Sequence, residues 1–309
     1  MTTIRLLLNS GFTGANAFLA IAQAQGIFKA AGLDIEFTPG RGAYTAAQRL
    51  TEEGFDAAYG DVNALIELAA QHPHDDLPKA VLMVHQQTPA VISVARDGPV
   101  RRALDLQGLT LLGHASDVAL RLFPLFAASQ RIPVDAVTVQ TADGAMLALL
   151  QDMLGGKVAG VFGYATTQTA ALAGAGLQAS ELLRFLRYAP SCPDLYGSAL
   201  MVSPRLLRDD SEAVQRLVQA VRNGIWLARA NPHAAIAAVR MMDGTIDPVI
   251  ELERWRGTLA DDMLCSGPVP AAFSNADMPR LERAIAALQQ VNGWNTRPTA
   301  ERIFARQLV

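Results

Sequence analysis

The chain has 309 residues, of which 50% are hydrophobic and 18% charged, and its formal net charge is −3. This length fits one large or two ordinary domains with a sizeable core, and the composition excludes a disordered chain. The small negative charge and the lack of a lysine or arginine cluster exclude a nucleic-acid-binding protein, because such proteins neutralise phosphates with clustered cations.

Strands alternate with helices over the first ninety residues. Hydrophobic periodicity predicts strands at 4–8, 34–38, 56–60 and 80–85, and helices at 15–30, 44–53 and 62–71. Gly32 and Gly54 fall where two of these helices should end, since glycine readily takes the left-handed conformation of a helix C-terminus. The alternation predicts parallel strands joined by helical crossovers.

A second series of strands and helices begins near residue 90. Strands are predicted in "AVISVARDG", "VDAVTVQ" and "VAGVFGY", a short helix and a strand in "LDLQGLTLLG", and helices at 116–131, 142–154 and 166–173. Ser116 or Asp117 is placed to cap the first of these helices. After "LLRFLRYAPSCPDLYGSALMVS" the pattern becomes mostly helical, at 211–230, 232–242, 248–263 and 278–290.

Two similar α/β series without a flexible linker predict an α/β fold of two lobes. We expect residues 1–89 and 197–309 to form lobe 1, with the C-terminal helices, and residues 90–196 to form lobe 2. Ligands of open α/β sheets bind beyond the carboxyl ends of the strands. The expected site is therefore a cleft between the lobes.

Polar loop tips recur at these strand ends. The loop "NSGFTG" at 9–14 follows the first predicted strand, "TPGRGAYT" at 38–45 follows the second, and "YGDVNA" at 59–64 follows the third. "HQQTP" lies at the first crossover, and "GHASDVA" and "FGYATT" occupy equivalent places in lobe 2. Each tip can offer side chains and free N–H groups of a helix N-terminus to a ligand.

Motifs for catalysis, metal binding and phosphate binding are missing. The sequence has no H-E-x-x-H, G-x-S-x-G or C-x-x-C, and the loop at 9–14 has neither the phosphate-loop nor the dinucleotide-binding spacing. Asp61 is read first as the cap of the following helix. We therefore expect no catalytic residues, no metal and no cofactor. Whether Cys192 and Cys265 form a disulfide stays open.

The opening segment resembles a known family. "IRLLLNSGFTGANAFLAIAQAQGIFKAAGLDIEFTPGRGAYTAAQRLTEEGFDAAYGD" is similar to the substrate-binding proteins of ABC importers for nitrate, taurine, alkanesulfonates and thiamine-pyrimidine precursors. The resemblance continues through "DLQGLTLLG" and "LYGSALMVSPRLLRDDSEAVQRLVQAVRNGIWLARANPHAAI" to "LERAIAALQQVNGWNTRP", and so covers essentially the whole chain. It implies a two-lobed periplasmic-binding-protein fold of type II that closes over a small molecule through hinges at 89–91 and 190–197.

The resemblance also implies which residues face the ligand. They are Asn9, Ser10, Phe12, Arg41, Tyr44, Gly60, Asp61, Gln87 and Thr88 from the first lobe, and Ser116, Asp117, Tyr164 and Tyr196 from the second. Hydroxyls and helix N-termini suit an oxyanion, Arg41 can pair with it bidentately, and the aromatic side chains can sandwich a ring. The expected ligand is a small anionic or aromatic compound such as a sulfonate, a carboxylate or a heterocycle.

Two departures from the family pattern bear on the ligand. Pyrimidine-binding members carry a tryptophan shortly after the first strand, where this chain has Ser10, and an acidic residue after the "GY"-like segment, where it has Ala165, Thr166 and Thr167. A related fungal pyrimidine synthase has a cysteine-rich motif that is missing here. The sequence therefore argues against a thiamine-pyrimidine ligand.

The leading hypothesis is a monomeric, extracytoplasmic solute-binding protein that delivers its ligand to an ABC importer permease. The alternative is a cytoplasmic enzyme on the same fold, a pyrimidine or cofactor-precursor synthase with His114 or Asp61 as general base. "MTTIRLLLNS" is too short an apolar run for a signal peptide or a membrane span, which fits either a cytoplasmic protein or a mature form without its export signal. Whether Met1 is the native start stays open.

Overall fold

The computed structural model describes residues 1–264 and 276–306. In chain order its strands are β1 (Thr2–Leu7), β2 (Leu33–Thr38), β3 (Ala57–Asp61), β4 (Lys79–Met83), β5 (Ala90–Ala95), β6 (Thr110–Gly113), β7 (Thr138–Thr141), β8 (Gly160–Tyr164), β9 (Leu183–Arg187) and β10 (Ser198–Val202). Cys265 lies outside the described residues, and Cys192 is a buried thiol whose pKa is raised by burial.

The helices of the first two hundred residues are short. They are α1 (Ala17–Ala24), α2 (Ile27–Ala30), α3 (Ala46–Glu52), α4 (Val62–Gln71), α5 (Val118–Arg121), α6 (Phe123–Ser129), α7 (Met146–Leu154), α8 (Ala165–Gly174) and α9 (Ala179–Leu182). The C-terminal part adds α10 (Pro204–Asp209), α11 (Ser211–Ala230), α12 (Pro232–Met242), α13 (Pro248–Gly257), α14 (Met278–Asn292) and α15 (Ala300–Ile303). Among the described residues, no helix is both long and apolar enough to cross a membrane.

The chain divides into two compact units. Unit 1 comprises Met1–Gln87, Asp194–Gln289 and Gly293–Val309, and unit 2 comprises Thr88–Pro193 and Gln290–Asn292. The lobe boundaries predicted from the sequence, after residues 89 and 196, lie slightly later along the chain than the observed unit boundaries, after residues 87 and 193. Thr88 consequently falls in unit 2 and Tyr196 in unit 1.

Unit 1 contains a mixed sheet in the strand order β2-β1-β3-β10-β4. β1 runs parallel to β2 and β3, whereas β10 runs antiparallel to β3 and β4. α1 packs on this sheet, and all of residues 17–22 are buried. α11 lies so close to α1 that a Cβ at Gly224 would be 2.5 Å from the Phe18 carbonyl oxygen. The core of unit 1 thus lies between the sheet and α1, α11 and α12.

Unit 2 contains a second mixed sheet in the order β7-β6-β8-β5-β9. β6 is parallel to β7 and β8, and β5 is antiparallel to β8 and β9. A small core of leucine, valine and methionine side chains joins α7 and α8 to this sheet. The carboxyl ends of β6 and β8 lie at one edge, next to the starts of α5 and α8.

The structure corrects the expected strands in two ways. β1 to β4 run in one direction, as expected, but β10 lies antiparallel between β3 and β4, and in the second series β5 runs antiparallel to β8. β10 was not predicted, because "SALMV" is a short apolar run that is buried on both faces and has no alternating pattern. β9, which is only partly buried, was not predicted either.

The predicted helix at 15–30 is two helices. Gly26 separates α1 from α2 in a left-handed conformation with φ of 67°. Gly32 and Gly54 also have positive φ, 73° and 66°, which confirms that they end the helices before them. The predicted helix at 248–263 is α13 followed by a π-helical turn, Thr258–Asp262.

Candidate functional site

Three loops meet at the carboxyl edge of the sheet in unit 1. Backbone hydrogen bonds tie them together, since Gly42 N donates to Asn9 O (2.8 Å), Gly40 N to Ser10 O (3.0 Å) and Asp61 N to Ala43 O (3.0 Å). The loops after β1, β2 and β3 therefore form one continuous edge.

Gly40 is required where the first two loops touch. A Cβ on residue 40 would lie 1.8 Å from the Leu8 carbonyl oxygen and 2.6 Å from the Asn9 carbonyl carbon, both backbone atoms that cannot move aside. A second close approach occurs at Gly60, where a Cβ would lie 2.4 Å from the Ala46 Cβ. Gly60 thus lets α3 pack on β3 and has no side chain to offer a ligand.

Asn16 holds the first loop in shape, and it was not predicted as a site residue. Its side chain is fully buried; Oδ1 accepts from Thr13 N (2.9 Å), and Nδ2 donates to Gly11 O (3.0 Å) and to Asn9 Oδ1 (3.5 Å). A buried amide at a helix start is bonded in this way because unpaired polar groups are costly in the interior. The loop is therefore a fixed structure.

The N-terminus of the first helical turn, Gly14–Asn16, is occupied by a protein carboxylate. Glu251 Oε2 accepts from Gly14 N at 2.5 Å, and Arg254 Nε lies 3.0 Å from the same oxygen. Burial lowers the pKa of the Arg254 guanidinium. The expectation that this helix N-terminus offers its N–H groups to a ligand is wrong at Gly14, because Glu251 has taken the position.

Phe12 and Tyr44 are both half-buried and engaged within unit 1. The ring of Phe12 packs edge-on against Phe37, with the centroids 5.2 Å apart. The Tyr44 hydroxyl donates to the Glu67 carboxylate. Arg41 is exposed; the pKa of Glu53 is lowered mainly by the hydrogen bond from Arg49, and the charge of Arg41 adds a smaller effect. Arg41 is therefore the cation that this edge presents to solvent.

Asp61 and Tyr196 lie in the interior of unit 1. Asp61 caps α4 by accepting from Asn63 N (2.9 Å), and Asn63 Nδ2 bridges Asp61 Oδ1 and Tyr196 O, each at 2.8 Å. The Tyr196 ring is covered by the Arg280 guanidinium, 3.9 Å from its centroid, and its hydroxyl accepts from Asp277 N (3.0 Å). These two predicted site residues hold the framework of the edge.

The segment at 86–88 is bonded on both sides of the unit boundary. Gln87 Nε2 donates to the Asp261 carbonyl oxygen, and Gln86 N donates to Asp262 O (2.8 Å). Thr88 is buried in unit 2, where its hydroxyl oxygen accepts from Ala90 N (3.3 Å).

In unit 2 three predicted residues follow β6 or end β8. Asp117 caps α5 by accepting from Ala119 N (2.7 Å) and Leu120 N (3.3 Å), which identifies it, and not Ser116, as the cap. Burial of the carboxyl raises the pKa of Asp117 to about 6, against the lowering effect of these bonds. Ser116 and Tyr164 are half-buried beside the starts of α5 and α8.

The side chains considered for metal binding and acid–base chemistry have the following surroundings. Within residues 1–264 and 276–306, no three His, Cys, Asp or Glu side chains come together as a metal site. Two residues were considered as a general base. His114 has its Nδ1 3.0 Å from the Ala142 carbonyl oxygen, and Asp61 accepts a hydrogen bond from Asn63 N as the cap of α4.

Comparisons with known proteins agree with this architecture. A family model described as NMT1/THI5 like matches residues 15–235, and no curated protein sequence matches the chain. The alkanesulfonate-binding protein SsuA from Xanthomonas axonopodis pv. citri bound to MOPS is similar over 100% of this chain and 98% of its own, with 15% identity and a TM-score of 0.72.

Two other solved structures have the same fold. The periplasmic aliphatic sulphonate binding protein SsuA from Escherichia coli has 13% identity and a TM-score of 0.73, with 99% of this chain and 92% of that chain covered. The desulfurization enzyme DSZB has 15% identity and a TM-score of 0.60, with 99% and 97% covered. The fold is thus the periplasmic-binding-protein fold, and both a binding protein and an enzyme can be built on it.

Proposed function

Because the chain belongs to the NMT1/THI5-like family, we propose that it is an extracytoplasmic solute-binding protein of an ABC importer and that its ligand is a small organic anion. The loops at the carboxyl edge of the unit 1 sheet bind the ligand, and a permease is the partner that receives it.

The observation that carries the proposal is an imbalance of donors and acceptors in unit 1. The carbonyl oxygens of Asn9, Ser10, Gly11 and Ala43 all accept hydrogen bonds from within the edge. By contrast, among the described residues the N–H groups of Ser10, Gly11 and Phe12, and the Nδ2 of Asn9, donate no hydrogen bond. An edge that uses its acceptors internally and presents donors is suited to an anion.

Arg41 adds a full positive charge to this set of donors. Its guanidinium is exposed, and among the described residues no carboxylate lies within ion-pair distance of it. Arginine presents a planar fork that matches carboxylate and sulfonate oxygens. The similar fold of two sulfonate-binding proteins, one of them bound to MOPS, supports a sulfonate as the first anion to test.

We infer binding without turnover, and the state of three reactive side chains, Cys192, His85 and Asp61, supports it. Burial raises the pKa of Cys192, so this thiol stays protonated and is a poor nucleophile. His85 is buried and its pKa is lowered to about 3, so it is neutral, and Asp61 is engaged as a helix cap. None of these groups is both free and exposed to a substrate.

Thermal stabilisation and calorimetry with a matched set of compounds test the proposal. The anions are MOPS, taurine, hexanesulfonate, benzoate and sulfate, and the control is 4-propylmorpholine, which is MOPS without its sulfonate. We expect at least one organic anion to bind saturably and 4-propylmorpholine not to bind. Arg41→Gln should weaken binding at least tenfold, whereas Arg297→Gln, which removes only an exposed ion pair with Glu282, should not.

Two results would contradict the proposal. One is that no organic anion stabilises the protein while an uncharged heterocycle does. The other is chemical conversion of a bound compound, followed by mass spectrometry during incubation, which would favour the enzyme.

A further inference from the structure

The orientation of the Asn9 amide is fixed by the residue behind it. An asparagine side chain can present either its oxygen or its NH2 group, and the hydrogen-bond network decides which. At Asn9 the decision passes through Asn16, which is fully buried.

The network begins at a group whose polarity is certain. Thr13 N–H can only donate, so the Asn16 atom 2.9 Å away must be Oδ1. Asn16 Nδ2 then faces Gly11 O at 3.0 Å, which can only accept. Both ends of the Asn16 amide therefore agree on one orientation.

This orientation determines that of Asn9. One hydrogen of Asn16 Nδ2 is used by Gly11 O, and the other points at the Asn9 amide, 3.5 Å away. The Asn9 atom on that side must accept and is therefore Oδ1. The Ser10 hydroxyl, also 3.5 Å from Asn9 Oδ1, can donate or accept and so does not decide the orientation, which depends on Asn16 alone.

We infer that Asn16 is a positioning residue that turns the Asn9 NH2 group toward the ligand and so makes this loop select anions. The inference rests on the proposed function. Asn9 is half-exposed at the carboxyl end of β1, and among the described residues no acceptor bonds to its Nδ2. With the opposite orientation the loop would present a carbonyl oxygen in place of the NH2 group and would repel an anion.

The test has one measurement that needs no ligand. In protein labelled with ¹⁵N-asparagine, a soluble gadolinium chelate should relax the side-chain NH2 signals of Asn9 strongly and those of Asn16 hardly at all. The signals are assigned from Asn9→Asp and Asn16→Asp. In Asn16→Asp, residue 16 can no longer donate, so the Asn9 NH2 should turn inward and become protected from the chelate.

The second measurement is the affinity for MOPS and for the best anion of the panel. Asn9→Asp keeps an oxygen toward Asn16 but presents a carboxylate oxygen outward, so affinity should fall at least tenfold with the loop still folded. Asn16→Asp should also lose at least tenfold. Asn295→Asp, at an exposed position, carries the same charge change and should bind as the wild type does.

Each outcome decides the inference. A relaxed Asn9 NH2 together with loss of affinity in Asn9→Asp supports it, including the case in which Asn16→Asp does not fold. A protected Asn9 NH2 in the wild type, or unchanged affinity in Asn9→Asp, overturns it. If no anion binds the wild type, the proposed function fails together with the selection of anions, while the NMR measurement still decides the amide orientation.

Discussion

The hydroxyl of Tyr59 lies 3.0 Å from Nε2 of His85 in the interior of unit 1, where 1% and 3% of the two side chains are exposed. Burial raises the pKa of Tyr59, and it lowers the pKa of His85 to about 3. Both groups are thus neutral at physiological pH. His85 Nδ1 has no hydrogen-bond partner within the described part of the chain, so a proton on this nitrogen would gain no hydrogen bond.

The buried His85 makes unit 1 sensitive to acid. In the unfolded chain His85 takes up a proton near pH 6.5, but in the folded chain only near pH 3. Its contribution to stability is complete above pH 6.5 and is lost as the pH falls from 6.5 toward 3, by about 1.4 kcal/mol per pH unit. Chemical denaturation of the wild type and of His85→Gln between pH 7 and pH 4 measures this.

We expect the stability difference between wild type and His85→Gln to shrink steadily as the pH falls. His233→Gln is the matched control, because His233 is exposed. The difference in stability between His233→Gln and the wild type should not shrink as the pH falls. A constant difference between wild type and His85→Gln from pH 6.5 to pH 4 would show that His85 is charged in the folded protein.

The general arrangement of the site could be predicted from local sequence. Loops such as "NSGFTG" and "YGDVNA" stand between a strand and a helix, and β1, β2 and β3 are parallel, so their carboxyl ends share one edge. Asp61 was predicted as a cap, and Ser116 or Asp117 as another, because capping is a local property of a residue at a helix start; Asp61 and Asp117 are the caps observed. The predicted ligand contacts themselves stay predictions.

What the sequence could not predict depends on contacts between distant residues. Glu251 fills the position at Gly14 from 237 residues away in the chain, and Arg280 covers Tyr196 from α14. Asn16 was open to prediction in principle, because a polar residue within an apolar helix start needs a buried partner. Without the fold, however, nothing indicates that its partners lie in the loop before it.

Gly14 and Gly40 should both resist substitution by alanine. A Cβ at residue 14 would lie 2.0 Å from the Glu251 carbonyl oxygen, and one at residue 40 would lie 1.8 Å from the Leu8 carbonyl oxygen. Backbone must shift to make room, which costs about 1–3 kcal/mol or more. Thermal or denaturant unfolding of Gly14→Ala and Gly40→Ala measures the loss.

Gly11→Ala is the control from the same loop, since no atom lies within 4 Å of a Cβ there. Its stability should stay close to that of the wild type. Equal stabilities of Gly40→Ala and Gly11→Ala would mean that the loops after β1 and β2 do not touch as described.

Asp117 should lower the stability of unit 2 at neutral pH. Its folded pKa of about 6 lies above the usual 3.8, so the charged carboxylate is less favourable in the folded chain than in the unfolded chain. The folded protein therefore gains stability from this group as the pH falls from 6 to 4. Because Asp117 is partly exposed, solvent screens its charge, and the gain in the free energy of unfolding between pH 6 and pH 4 should stay below about 3 kcal/mol.

Asp117→Asn isolates this contribution. Asparagine caps a helix about as well as aspartate, so the variant keeps the cap and removes the charge. We expect Asp117→Asn to be more stable than the wild type at pH 7 and similar to it at pH 4. Asp117→Ala loses the cap and should be less stable than Asp117→Asn at both pH values. Destabilisation of Asp117→Asn at pH 7 would show that the carboxylate is stabilised in the fold.

Arg280 should hold two distant segments of unit 1 together. Its Nη2 donates to Gln86 O (2.7 Å) and Leu195 O (2.9 Å), and its Nε donates to Asp194 O (3.2 Å). These carbonyls lie where the chain leaves unit 1 and returns to it.

Hydrogen–deuterium exchange of Arg280→Leu should therefore speed up at 85–87 and at 194–197 together, although these segments are far apart in sequence. In the control Arg283→Leu, which removes only the pair with the Asp194 carboxylate, the change should be small and confined to 194–197. Faster exchange in α14 alone would mean that Arg280 does not hold either segment.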